Sequence, residues 1–215
     1  MTKRITISTL DAMKASGDKF VMITAYDATF ARLASEAGAE TILVGDSLGM
    51  VLQGHETTIP VSLDAMAYHT ECVARARPHS LIVADLPFMS FSNADDTLHA
   101  STRLMQAGAQ MVKLEGGTWL SDSIHRLVER GVPVCAHLGL TPQSVNVFGG
   151  YRVQGRTPKE AKSILADAVE IQDAGASLLV LECIPAELAA DISSKLDIPV
   201  IGIGAGSGTA AHVLV

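Results

Sequence analysis

What most constrains this chain is a repeated alternation of two patterns. Short runs rich in Val, Ile and Leu recur along its 215 residues, and amphipathic stretches lie between most of them. The runs fall at residues 21–25, 41–44, 81–84, 111–114, 132–136, 178–181 and 200–203. Most are continuously apolar rather than alternating, as expected of strands buried on both faces of a parallel sheet. Parallel neighbours need a crossover between them, normally a helix. The stretches between supply helical faces, such as Phe30, Leu33, Ala34 and Ala37, or Ile164, Leu165, Ala168 and Ile171.

Start and stop signals agree with this division. Thr157-Pro158-Lys159-Glu160 combines an N-cap Thr, a Pro at the first helical position and a Glu placed for a capping box. Gly38, Gly108 and Gly175 each sit in an Ala-Gly-Ala triplet just before a strand, where a left-handed C-cap is expected. Asp27 is expected to cap the helix after the first strand, and residues 8–15 to form a helix that caps the N-terminal end of the architecture. Seven strands, with an eighth starting near His212, predict an α/β fold: a (β/α)₈ TIM barrel, for which about 250 residues is usual. An open doubly wound sheet is the rival, but Ala25-Tyr26-Asp27 after the first strand lacks the glycines of a dinucleotide-binding turn. The expectation is one barrel domain over residues 1–215, incomplete at its C-terminal end, with the eighth strand and last helix truncated or absent.

Composition excludes several functions. Sixteen basic against 23 acidic residues give a net charge of −7, the wrong balance for a nucleic-acid surface. No run approaches the roughly 20 apolar residues of a membrane span, and the first residues do not read as a signal peptide. Cys72, Cys135 and Cys183 are odd in number and widely spaced, which fits neither a disulfide framework nor a zinc motif. A cytoplasmic protein is expected, with no nucleic-acid or membrane partner.

Chemistry in a barrel of this kind belongs at the C-terminal ends of the strands. Those ends carry Asp46 and Ser47, Asp85, Glu115, His137 and Glu182. Any one acid there can be a helix cap. Four acids converging on one mouth repel each other unless positive charge sits among them. A hard divalent cation such as Mg²⁺ answers that need. Lys113 lies two residues before Glu115 and so projects to the same side of its strand. Its position in an apolar run points to binding an anionic substrate or stabilising developing negative charge. His137 reads either as a pocket residue or as a hydrogen-bonded core histidine. The glycine-rich run 202–206 reads either as an anion cradle or as a tight turn under a helix. Residues 141–156 are rich in Gly and polar residues and are expected to act as a lid.

Taken in order, these motifs are specific. They comprise Ile23-Thr24-Ala25-Tyr26-Asp27, Val44-Gly45-Asp46-Ser47-Leu48-Gly49-Met50, Ala84-Asp85-Leu86-Pro87-Phe88-Met89 and Val112-Lys113-Leu114-Glu115-Gly116-Gly117. They continue with His137-Leu138-Gly139-Leu140-Thr141-Pro142-Gln143, Phe148-Gly149-Gly150-Tyr151, Leu181-Glu182-Cys183 and Ile201-Gly202-Ile203-Gly204-Ala205-Gly206. The chain closely resembles the 3-methyl-2-oxobutanoate (ketopantoate) hydroxymethyltransferases from about residue 5 to 206.

That resemblance implies a (β/α)₈ enzyme of pantothenate biosynthesis. It would use Mg²⁺ and 5,10-methylenetetrahydrofolate to hydroxymethylate 3-methyl-2-oxobutanoate through a metal-stabilised enolate. It also implies a homo-oligomer, commonly a decamer. By resemblance Asp46 and Asp85 ligate the metal, with Glu115 there directly or through water. Asp46, Ser47, Asp85, Lys113 and His137 line the 2-oxo acid site, and Glu182 is the general base. Two other readings stay open: a related Mg²⁺-dependent lyase acting on a C–C bond of a 2-oxo acid, and an inactive truncated barrel that only binds or oligomerises.

Overall fold

A computed structural model describes residues 4–215. Its elements are α1 (Ile7–Ser16), β1 (Phe20–Thr24), α2 (Ala28–Glu36), β2 (Thr41–Val44), the short α3 (Leu48–Val51), α4 (Leu63–Arg75) and β3 (Leu81–Asp85). Next come α5 (Ala94–Ala107), β4 (Met111–Glu115), α6 (Ser121–Glu129) and β5 (Val134–Gly139). The chain continues through the short α7 (Val145–Phe148), α8 (Pro158–Asp173), β6 (Leu178–Glu182), α9 (Ala186–Lys195), β7 (Val200–Ile203) and β8 (Ala211–Leu214). The strands pair in sequence order into a closed parallel barrel, with β8 joining β1.

Local chemistry explains the boundaries. Thr6 and Thr9 form a reciprocal capping box at the start of α1, and Gly17 closes that helix in the left-handed conformation. Asp27 caps α2 by accepting from the N–H groups of Thr29 and Phe30. Thr157 and Glu160 form the expected capping box of α8. Gly38, Gly108 and Gly175 all have positive φ, between 97° and 112°.

Two apolar layers result. Phe20, Met22, Leu43, Val83, Met111 and Val180 fill the barrel interior, and Leu10 of α1 plugs its N-terminal end. Ile42, Val44, Val112, Leu114, Leu179 and Leu181 point outward and are buried under the helices. Each such side chain is worth roughly 1.5–3 kcal/mol of burial. The C-terminal mouth is left for polar groups.

Two expectations need correction. The eighth strand is present: Ala211–Leu214 pairs in parallel with both β7 and β1. Backbone pairing to two neighbours orders it, although its outer side chains are bare. His212 and Leu214 on β8 and Val21 on β1 are exposed, whereas outward residues of β2 to β6 are buried. The fifth strand runs from Val134, not 132, and extends through His137 to Gly139. Pairing with Glu115 on one side and Glu182 on the other carries it further than its apolar run. Of the two readings left open for residues 202–206, close packing supports the tight turn under a helix. A Cβ on Gly206 would lie 2.4 Å from the Ala186 Cβ of α9, and one on Gly202 would lie 2.8 Å from Thr209 Oγ1.

Candidate active site

Parallel register brings the mouth residues together. Asp85 pairs with Lys113, Glu115 with His137, and Gly139 with Glu182. Asp46 follows β2 directly, and its backbone N–H donates to Asp85 Oδ2 at 3.2 Å. Gly45 permits that approach, since a Cβ there would lie 2.8 Å from Ser47 Oγ and 3.5 Å from Asp85 Oδ2. Lys113 Nζ donates to Asp85 Oδ1 at 2.8 Å and lies 3.8 Å from Glu115 Oε1. All four of these charged side chains are buried. Asp46, Ser47, Asp85, Lys113, Glu115, His137 and Glu182 line one cavity of about 50 Å³, floored by Leu43, Val180 and Val213. Every residue the sequence nominated for the site therefore faces a common space.

His137 bridges two acids. Its Nδ1 lies 3.4 Å from Glu115 Oε1 and its Nε2 lies 3.3 Å from Glu182 Oε2. Neither ring nitrogen is aligned well enough for a hydrogen bond, so these are charge contacts. Glu182 is the most open of the site acids, with 18% of its side chain exposed. The residue after it, Cys183, holds a left-handed φ of 47°. A non-glycine residue pays for that conformation, and here it lies where the chain leaves β6 at the mouth.

The charges shift one another in opposite directions. Burial and the nearby Asp85 and Glu115 charges push the Asp46 carboxyl well above the usual carboxylate range. Burial also raises Asp85, although Lys113 opposes it. Burial works against the Lys113 ammonium, but Asp85, Glu115 and Asp46 outweigh it and hold the proton on. Glu115 stays below its ordinary value despite burial, because His137, Lys113 and the Gln143 N–H favour its anion. Burial and Lys113 disfavour a charged His137, yet Glu115 and Glu182 prevail and carry it up to about 9.

Two partners escaped the sequence reading. Gln143 is buried, and its Nε2 donates to Asp46 Oδ2 at 2.8 Å and to Leu86 O at 2.9 Å. Its backbone N–H donates to Glu115 Oε2 at 3.0 Å. Tyr26 Oη and Ser47 Oγ are 2.9 Å apart. No spacing rule points to Gln143, which arrives through the segment after β5, whereas Tyr26 stands two residues beyond the end of β1 with no charge to mark it. The 141–156 stretch is thus pinned to the site acids at its start, through Gln143.

A cation fits this donor set. Asp46 is driven toward protonation by its own neighbours, and a positive ion beside Asp46 and Asp85 would relieve that cost. Among the described residues no three His, Cys, Asp or Glu side chains form a ready-made metal cluster. One or two carboxylates completed by water and substrate oxygens are what Mg²⁺ commonly takes from a protein.

Comparison with known proteins is consistent with this geometry. Residues 4–215 match the family model described as ketopantoate hydroxymethyltransferase. The 3-methyl-2-oxobutanoate hydroxymethyltransferase of Saccharophagus degradans is 56% identical over all 215 residues, which cover 80% of that relative. The enzyme of the same name from Pseudomonas putida F1 is 57% identical over 98% of this chain and 79% of its own. Among solved structures, phosphonopyruvate hydrolase in complex with oxalate and Mg²⁺ superposes with a TM-score of 0.71 at 14% identity, covering 96% of this chain and 79% of that one. A 2,3-dimethylmalate lyase of the PEP mutase/isocitrate lyase superfamily gives 0.68 at 16% identity, covering 96% and 80%. Those two share the fold. No helix among the described residues is long and apolar enough to cross a membrane. With the ordered motifs, the closed barrel, the family match across the described chain and relatives above half identity all in agreement, this chain belongs to the ketopantoate hydroxymethyltransferase family of enzymes.

Proposed function

We propose that this chain hydroxymethylates 3-methyl-2-oxobutanoate to 2-dehydropantoate, with 5,10-methylenetetrahydrofolate as the one-carbon donor and Mg²⁺ held by Asp46 and Asp85. The observation that carries the reading is the buried set Asp46, Asp85, Lys113 and Glu115 sharing one small cavity with Glu182. When bound, Mg²⁺ supplies the positive charge that draws electrons from the 2-oxo group and acidifies the neighbouring C–H.

The protein's own groups do the rest. Lys113 offers an ammonium to the anionic substrate, while Ser47 and Tyr26 present hydroxyl groups beside it. Glu182 takes the C3 proton, which general-base catalysis of this kind accelerates by ~10²–10⁴. The His137 cation, 3.3 Å away, holds the Glu182 carboxylate in place by a charge contact. The balance closes simply. The C3–H bond breaks and a bond forms from C3 to the donor's methylene carbon. Water supplies the new hydroxyl oxygen, and the two donor nitrogens that lose the methylene each end with a hydrogen.

The test needs no donor. The chain with Mg²⁺ and 3-methyl-2-oxobutanoate in D₂O is expected to exchange the C3 hydrogen, followed by NMR. Glu182→Gln is expected to retain Mg²⁺-dependent substrate binding in calorimetry while slowing exchange at least 100-fold. Exchange that persists in Glu182→Gln removes it as the base. Substrate binding that ignores Mg²⁺ overturns the metal assignment.

A further inference from the structure

The carboxylate cavity, at about 50 Å³, has no room for a second, ring-bearing substrate. Beside it lies a larger pocket of about 180 Å³. Its walls are Phe88, Met89, Phe91 and Trp119, and it meets the carboxylate cavity at Glu115, which lines both, with Gln143 alongside. We propose that this pocket, formed by the loops after β3 and β4, seats the bicyclic ring of the one-carbon donor, its planar pyrimidine half stacked against the Trp119–Phe91 pair. The inference rests on the folate-donor reading above and adds where the ring binds.

The walls offer aromatic surface on which a planar heterocycle can stack, with Ser92, Gln143 and Ser144 at the edge. The Phe91 and Trp119 rings are stacked, 12° from parallel with centroids 6.1 Å apart, so Phe91 backs the indole from behind. Phe91 is buried, whereas Trp119 remains 63% exposed and offers its face. Two backbone features hold this arrangement. Gly116 has a φ of 150°, and any Cβ there would lie 2.5 Å from the indole, so only glycine lets Trp119 lie across the end of β4. Met89 adopts a left-handed φ of 62°, unusual for a residue with a side chain, which leaves that side chain exposed at the pocket. Strain and exposed aromatic surface together cost stability unless a ligand uses them. Glu115 lines both cavities and is the wall that this pocket shares with the 2-oxo acid site. A donor seated with the methylene-bearing edge of its ring toward Glu115 would present that carbon to the cavity in which C3 loses its proton.

Trp119 is the chain's single tryptophan and lines both this pocket and an adjoining one of about 340 Å³, so substitutions at Phe88 and Met89, which line only the smaller pocket, assign the signal. The probe is 5-formyltetrahydrofolate, titrated into the full chain, with p-aminobenzoylglutamate as the control that lacks the bicyclic ring and free N-acetyltryptophanamide as the optical control. Saturable quenching by the folate and none by the control is expected. Phe88→Ala is expected to raise the half-saturating concentration about tenfold, the loss of one aromatic contact. Met89→Gly, which relieves the backbone strain and removes the side chain, is expected to weaken binding as well. Quenching that neither substitution changes places the ring elsewhere and overturns the proposal. So does absence of quenching in a preparation that still exchanges C3 deuterium, whereas absence of exchange in the unaltered chain counts against the underlying function instead. Fluorescence that changes only with protein concentration assigns the patch to a second copy of the chain and also overturns it.

Discussion

Lys113 carries its ammonium among three buried carboxylates, where burial alone would strip its proton. Its value lies less in attraction than in what its removal would expose. Lys113→Met leaves Asp85 and Glu115 buried without their cation, and breaking such a pair typically costs about 3–5 kcal/mol. Urea denaturation without divalent metal is expected to show a loss of that order. A loss below about 1 kcal/mol would mean that the acids take up protons instead. Asp46, Asp85, Lys113 and Glu115 were legible in the sequence because strand ends are identifiable and strand side chains alternate. Gln143 was not. It stands six residues beyond His137 in a polar loop, and only the folded path of that loop brings its amide to Asp46 and its N–H to Glu115.

At the level of elements, caps and glycine stops were readable because they depend on neighbours a few residues apart. Strand ends were less so. β3, β4 and β6 each extend one residue further, to Asp85, Glu115 and Glu182, because ladder pairing continues past the last apolar side chain. The closing of α9 was invisible to local reading. Lys14 on α1 donates to the carbonyls of Ser193, Leu196 and Ile198 at 3.1, 2.7 and 2.9 Å. It thereby ties the N-terminal helix to the negative end of α9, more than 170 residues away, and burial lowers its pKa there. Lys14→Met keeps the stem's apolar contacts and removes the donors. A destabilisation of about 1–3 kcal/mol is expected from carbonyls left unpaired, measured as a lower thermal midpoint with the C3 exchange rate unchanged below the transition.

For the molecule as a whole, closure is the decisive event. β8 completes the barrel through backbone pairing, yet it and β1 present an uncovered outer face. Val21, Leu214, Phe30 and Leu33 are 41–65% exposed, large apolar side chains of the kind that promote association. Replacing Phe30 by Ser and Leu214 by Thr is expected to leave the urea midpoint within about 0.5 kcal/mol of the original. The same pair of changes is expected to reduce binding of a hydrophobic dye and to lower light scattering at high concentration. A midpoint shift well beyond that range would show that these side chains already pack against the barrel.

The sequence by itself determined the alternation of buried strands and amphipathic helices, the caps that bound them, and the acids and lysine at the strand ends. Those are local properties, set by side-chain periodicity and by hydrogen bonds a few residues apart. Tertiary structure alone decided that β8 would close the sheet, how far each strand runs, that Gln143 and Tyr26 would join the site, and that His137 would bridge two of its acids. Pairing between strands distant in the chain sets those distances. Only burial at one shared mouth turns separate carboxylates into a site that favours a cation.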